Sequence, residues 1–299
     1  MPSINRRDAI KKGGRLLMGL GLGTCIPAML CGCSDQEVSQ KSIANLMKGS
    51  QIADAGKLKL TVLYDNVSHA EGLHADWGFA CLVEGLDKTI LFDTGRYANI
   101  LMSNMETLGI DPRSVDEVVL SHDHPDHIGG TIKLIESRPE VKITLVKSFG
   151  SGFKNALKKY GARICEVDSP HRVTNSVLTT GEMKDFVRNE HSLIILTSMG
   201  SVVLTGCAHP GVVDIVQRAK LISRQEVLLV AGGFHLLRDY GSSLRHIVQQ
   251  LKDLGVRHVA PSHCTGSEAG ALFAAVFGKG FIDSGVGRII RAADLHNAG

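Results

Sequence analysis

SHDHPDHIGG, residues 121–130, sets His122, His124 and His127 together with Asp123 and Asp126 in six consecutive positions. Solvation of a surface loop gives no reason for that density of donors. The preceding VDEVVL, residues 115–120, reads as a short buried strand, so the cluster is delivered at a sheet edge rather than in a tail. His122 and His124 are two apart in an extended or turning segment, and their rings can face one side. Asp126 and His127 arrive one tight turn later, helped by Pro125. Two neighbouring metal sites can thus be served from one loop, with imidazole and carboxylate donors that suit zinc, iron or manganese. Gly129 and Gly130 are expected to let the backbone pass close to the metals.

The flanking sequence alternates short apolar runs with helical patterns. LKLTVLYDN (58–66) reads as a strand, and GFACLVEGLDKTILFDTG (78–95) as two strands joined by a glycine-containing turn. A helix is predicted near Tyr97 to Leu108, stopped by Gly109 and Pro112. Further on, SLIILTS and SVVLTG form a hairpin turning at Met199 and Gly200, GVVDIVQRAKLI is helical, EVLLVAGG is a strand and RHVAPSHC ends another. Residues able to do chemistry fall where strands stop, as in layered α/β folds whose loops are positioned by a rigid sheet.

The N-terminus differs in kind. Paired Arg6 and Arg7, an apolar glycine-rich run from Leu16 to Leu30, and Leu30-Cys31-Gly32-Cys33 follow in the order of an export signal. The segment resembles a twin-arginine signal ending in a lipoprotein box, with alanine where that signal often has phenylalanine. Residues 1–33 are therefore expected to be a signal, 34–57 a tether and 58–299 the folded domain. The protein is expected outside the cytoplasm, held to the membrane by lipid at Cys33. Residues 1–32 carry a net charge of +4, so the whole-chain value of +3 falls to −1 once they are removed. No nucleic-acid-sized positive field remains, which counts against a nuclease.

The pattern His122-x-His124-x-Asp126-His127 resembles the signature of the metallo-β-lactamase superfamily. ILFDTG (90–95), TGCAHPG (205–211), GGFHL (232–236) and PSHCTG (261–266) are similar to one branch of it, containing metal-dependent hydrolases of unassigned substrate and the pterin-forming synthase of methanopterin biosynthesis. The resemblance implies an α/β fold, an αββα sandwich of two mixed sheets flanked by helices, with two divalent metals at the sheet edge. Zinc is the first choice of metal, with manganese or iron as alternatives. His122 and His124 are expected to hold the first metal, and Asp126, His127 and His263 the second. Asp93 would orient a ligand or water from behind.

Relatives end a later strand in a bridging aspartate, and this chain has Cys207 there, with His209 two residues on. Either Cys207 bridges as a thiolate, or it lines the site while His209 completes a three-histidine first site. Imidazole is the commoner ligand in hydrolytic centres, which favours His209. His191 is a weaker candidate by position. His235, after a strand and two glycines, is a candidate proton donor or substrate contact. An oxidising compartment would permit a disulfide between Cys207 and Cys264. Trp77, Phe149, Phe153 and Phe234 are candidate pocket walls, with Trp77 and Phe79 candidates for its rim.

The chemistry implied is metal-assisted hydrolysis of a small molecule, in which two cations roughly 3.5–4 Å apart activate a shared water without a serine nucleophile. A synthase acting on a phosphorylated pterin precursor ranks second, a di-iron redox enzyme third for want of an electron-donor domain, and a metal-free binding protein last.

Overall fold

A computed structural model describes residues 39–186 and 188–296. The expected signal, Cys33 and the first residues of the expected tether lie outside the described residues. Among those described, no helix is long and apolar enough to cross a membrane.

The chain runs α1 (Gln40–Lys48), β1 (Lys59–Tyr64), β2 (Ala80–Glu84), β3 (Ile90–Phe92), α2 (Ala98–Thr107), β4 (Glu117–Leu120), α3 (Pro125–Ile128), α4 (Thr131–Ser137), β5 (Lys142–Val146), α5 (Ser151–Lys159) and β6 (Arg163–Val167). It continues through β7 (Val177–Thr179), β8 (Leu193–Thr197), β9 (Gly200–Thr205), α6 (Val212–Ser223), β10 (Val227–Gly233), α7 (Gly241–Asp253), β11 (His258–Ser262), α8 (Ser267–Phe277) and β12 (Ile289–Arg291). Two mixed sheets result, ordered β12-β1-β2-β3-β4-β5-β6 and β11-β10-β9-β8-β7.

Three apolar layers follow from strand periodicity. Along β2, Cys81 and Val83 face the layer between the sheets, whereas Ala80 and Leu82 face the helices. In β8, Leu193 and Ile195 point between the sheets, and Ile194 and Leu196 point toward α6 and its neighbours. Both faces of each sheet are covered, so these strands are apolar throughout instead of alternating with polar residues. Helices α2, α4 and α5 pack on the first sheet, and α6, α7 and α8 on the second, giving the αββα sandwich.

Within the first sheet β3, β4, β5 and β6 are parallel, and within the second β9, β10 and β11 are parallel. Their C-terminal ends are where the donor-bearing turns emerge.

Residues 40–57 correct the expectation of a tether. Helix α1 is capped by Ser39, whose side chain accepts from the Ser42 N–H, and it buries Ile43 completely, with Leu46 and Met47 packed on the α6 layer. Burying a side chain of that size contributes about 1.5–3 kcal/mol. Main-chain bonds from Ala53 to Leu196 (2.9 Å) and from Ser198 to Ala53 (2.9 Å) tie the segment to the end of β8. The apolar residues recur at helical spacing inside a polar stretch, a pattern that overall composition conceals.

Candidate metal centre

The turn after β4 enters α3 through Pro125, and its backbone bond from His127 N to the His124 carbonyl (3.0 Å) closes the tight turn expected from the sequence. Ring orientation is set from behind by Asp93, which follows β3 and is fully buried. Its Oδ1 accepts the Ser121 N–H at 2.7 Å, while Oδ2 accepts the Ser121 hydroxyl at 2.7 Å and His127 Nδ1–H at 2.7 Å. Because the Ser121 hydroxyl donates to Asp93, its oxygen accepts from His122 Nδ1–H, 2.9 Å away. His263 is fixed in the same sense, with Nδ1 3.0 Å from the Asn66 Oδ1 and its backbone N–H on Asp65 Oδ1 at 3.0 Å. Three rings are thus held with the proton on Nδ1 and a lone pair on Nε2. Such orientation by outer hydrogen bonds is typical of metal-ligating histidines.

Those lone pairs converge. Ring nitrogens of His122, His124 and His209 lie within 4.8 Å of one another, and so do donor atoms of Asp126, His127 and His263. His122 Nε2 is 3.0 Å from His124 Nδ1, and His127 Nε2 is 3.3 Å from His263 Nε2. Cys207 belongs to both neighbourhoods: its Sγ is 3.2 Å from His127 Nε2 and forms a compact group with His122 and His127. The two sequence readings of this turn are therefore not exclusive. The fold brings His209 to the first trio and Cys207 between the trios.

Electrostatics favours a cation here. Burial, followed by the charges of neighbouring histidines, pulls His122 well below its ordinary pKa. His209 is lowered to about 3, by burial and then by His235 and His124. His209 Nε2 is buried without a hydrogen-bond partner, an unsatisfied acceptor in a wall of acceptors. For Asp126, burial works upward, but the hydrogen bond with His263 and the charges of His127 and His263 more than offset it and hold the carboxyl low. Burial pushes the Cys207 thiol well up, so uptake of metal at that sulfur would release a proton. Burial pulls His127 down but Asp93 more than offsets it, so metal uptake at that ring would also release a proton. Imidazoles, a carboxylate and a thiol form a donor set that fits zinc or a similar divalent ion.

The turn after β9 is braced by a residue that sequence reading missed. Glu190 is fully buried, and its carboxylate accepts the N–H groups of Gly206 (3.1 Å), Cys207 (2.9 Å), Ala208 (2.9 Å) and His209 (2.9 Å). Burial raises its pKa to about 6 despite those bonds. Its one sequence signal is an acid placed directly before the apolar strand HSLIILTS. Adjacent His191 stays out of the centre: its Nε2 donates to the Leu120 carbonyl at 2.9 Å, and burial lowers it to about 4.

Other expectations resolve unevenly. Gly129 and Gly130 make room for protein backbone: a Cβ at Gly129 would run into the Arg96 carbonyl, and one at Gly130 would meet the Thr94 carbonyl. His235 is exposed, with its ring 4.3 Å from that of His209. Its pKa is raised, first by the hydrogen bond with Cys264 and against the pull of burial. Trp77, 41% exposed, lies 4.9 Å from the His263 ring and forms a rim. Phe79 is buried between the sheets, Phe149 and Phe153 pack in the α5 layer, and Phe234 packs on Phe273 in the core. Cys207 and Cys264 are free thiols.

Four of the six non-glycine residues with positive φ among the described residues are Asp93, Ala208, His235 and His263, all at or beside the centre. Backbone strain of this kind is concentrated where the surrounding structure must hold an unusual geometry for function.

Residues 78–216 match the family model described as metallo-beta-lactamase superfamily. The 7,8-dihydropterin-6-methyl-4-(β-D-ribofuranosyl)-aminobenzene-5'-phosphate synthase of Methanocaldococcus jannaschii is 28% identical over 77% of this chain and 95% of its own length. A solved metal-dependent hydrolase of the β-lactamase superfamily superposes with a TM-score of 0.67 at 26% identity, covering 78% of this chain and 98% of that one. The metallo-beta-lactamase fold protein YhfI of Bacillus subtilis gives a TM-score of 0.59 at 17% identity, over 78% and 99% of the two chains, and shows the fold alone.

Proposed function

This chain belongs to the metallo-β-lactamase superfamily, and from that premise we propose that it is a metal-dependent hydrolase of a small-molecule substrate, working at a dinuclear centre. The observation that carries this reading is the convergence of His Nε2 lone pairs fixed by Asp93, Ser121 and Asn66. His122, His124 and His209 would hold one ion, Asp126, His127 and His263 the other, and Cys207 would be shared between them. When bound, two divalent cations supply Lewis acidity, which lowers the pKa of water from about 15.7 toward 7 and polarises the bond under attack. Zinc suits a donor set of nitrogen, oxygen and sulfur, with manganese or iron as alternatives.

The residues of the chain do the remainder. Asp126 keeps its negative charge beside His127 and His263, balancing the second ion. Asp93 and Glu190 hold the ligand turns and touch no substrate, so they are positioning residues. His235, exposed with its ring beside His209, would pass a proton to a leaving group. Trp77 offers an apolar face to substrate beside His263. The expected export and lipidation at Cys33 would place this activity at the outer face of a membrane.

A second reading is supported by the 28% identity along 95% of the dihydropterin-type synthase. There the same ions would bind a phosphorylated substrate for condensation. A screen of the zinc-loaded protein against phosphate esters, lactones, lactams and thioesters is expected to show turnover that chelation abolishes. Turnover only in a condensation assay would replace the first reading by the second.

A further inference from the structure

The thiols of Cys207 and Cys264 are buried in the turns that follow β9 and β11, on either side of β10. Their approach across the intervening strand depends on Gly233. A Cβ there would lie 2.7 Å from Cys264 Sγ and 3.3 Å from Cys207 Cα, so any larger residue would press between the cysteines. With only hydrogen at that position, Cys264 Sγ reaches the Cys207 carbonyl at 3.5 Å. Both sulfurs and a His263 ring nitrogen lie within 4.8 Å of one another. The other described cysteines are placed differently: Cys81 packs between the sheets, and Cys165 lies 3.6 Å from His171. The ligand set proposed above uses one sulfur, which leaves Cys264, hydrogen-bonded to His235, outside it.

We propose that Cys207 and Cys264 are a redox modification site, closing to a reversible disulfide under a peroxide and thereby taking the shared sulfur away from the metals. One thiol sulfur attacks the peroxide O–O bond, becomes a sulfenic acid and releases water when hydrogen peroxide is the oxidant. The second sulfur then displaces the sulfenic oxygen as another water. The two thiols lose two electrons and two protons, and the peroxide takes them up. A dithiol reverses the reaction by exchange through a mixed disulfide. Both cysteines lie beyond the paired parts of their strands, so closure is a rearrangement of turns that leaves the sheet ladder intact. Disulfide formation stands on the geometry of the pair, and its effect on metal content rests on the reading that places Cys207 between the ions.

The test treats the metal-free full-length protein with hydrogen peroxide and maps its peptides without reduction. A Cys207 to Cys264 cross-link is expected, reversed by dithiothreitol, and absent in Cys264→Ala, whose unoxidised form still takes up the wild-type amount of zinc. The oxidised wild type is expected to lose at least one of two zinc equivalents and to regain it on reduction. Peptides that stay uncross-linked, or that carry only sulfinic acid at either cysteine, would overturn the proposal. A cross-link with zinc uptake unchanged would overturn the coupling to the metals and remove Cys207 from between them. Since the cross-link is sought in the wild type, a poorly folding variant would not blunt the result.

Discussion

The turn after β4 supplies four donor side chains within six residues, whereas the turn after β9 supplies two within three, and the two turns come from opposite sheets. Each is held by one buried carboxylate from elsewhere in the chain, but the carboxylates act differently. Asp93 takes one main-chain N–H, that of Ser121, but also the Ser121 hydroxyl and the His127 ring, and so decides which nitrogen of His127 and, through Ser121, of His122 carries the proton. Glu190 binds four successive main-chain N–H groups, and so decides where the turn lies while leaving its side chains unconstrained. A brace on rings specifies chemistry, and a brace on backbone specifies position. The first turn should therefore tolerate less change of residue type than the second.

Removing a ligand from the first turn should have the largest effect. Asp126→Ala is expected to lose one of two metal equivalents, with activity falling by about a hundredfold or more, by analogy with the cost of disturbing metal sites. Elemental analysis of the folded variant checks it.

Weakening either brace should have the next largest effect. Asp93→Asn cannot accept all three of its present donors, and metal affinity should fall about 10- to 100-fold. Glu190→Gln keeps one acceptor oxygen for four N–H groups, and a drop of similar size is expected with the turn displaced. The two should differ in kind. Histidine tautomer populations, read by nitrogen NMR of the metal-free protein, should shift for His122 and His127 in Asp93→Asn and remain as in wild type in Glu190→Gln. Equal tautomer changes in both variants would erase the distinction drawn here.

The smallest effect concerns a histidine outside the centre. His191 has a folded pKa of about 4 against an ordinary 6.5. Its neutral form is favoured on folding, so its contribution is present above pH 6.5 and is lost as pH falls toward 4. Between pH 7 and pH 5 that amounts to about 2 kcal/mol. In His191→Gln, which can still donate to the Leu120 carbonyl, the stability difference between these two pH values should shrink by that amount in urea titrations of the metal-free protein.

Local signals were legible in the sequence, and distant ones were not. Strand ends, the hairpin at Met199 and Gly200, and the cluster from His122 to His127 could be read because each depends on residues a few positions apart. Asp93 was expected behind the ligands through the resemblance of ILFDTG to the superfamily motif, and it lies on the His127 ring and on Ser121. Glu190 escaped notice because its four partners lie 16 to 19 residues away and are main-chain groups with no residue identity. The pairing of Cys207 with Cys264 across Gly233 depends on strand order, as does the compatibility of Cys207 with His209 as neighbours. Helix α1 was missed for a different reason, namely that one buried isoleucine in a polar segment leaves little trace in composition.

The proposed centre draws its donors from both sheets and sets Cys207 between two ions. Cobalt titration of the metal-free wild type, compared with Cys207→Ser and His209→Ala, tests this directly. Binding should saturate at two equivalents with an intense thiolate-to-cobalt charge-transfer absorption, the band should disappear in Cys207→Ser, and His209→Ala should lose one equivalent while keeping the band. Saturation at one equivalent or none in the wild type, or two equivalents without that absorption, would contradict it.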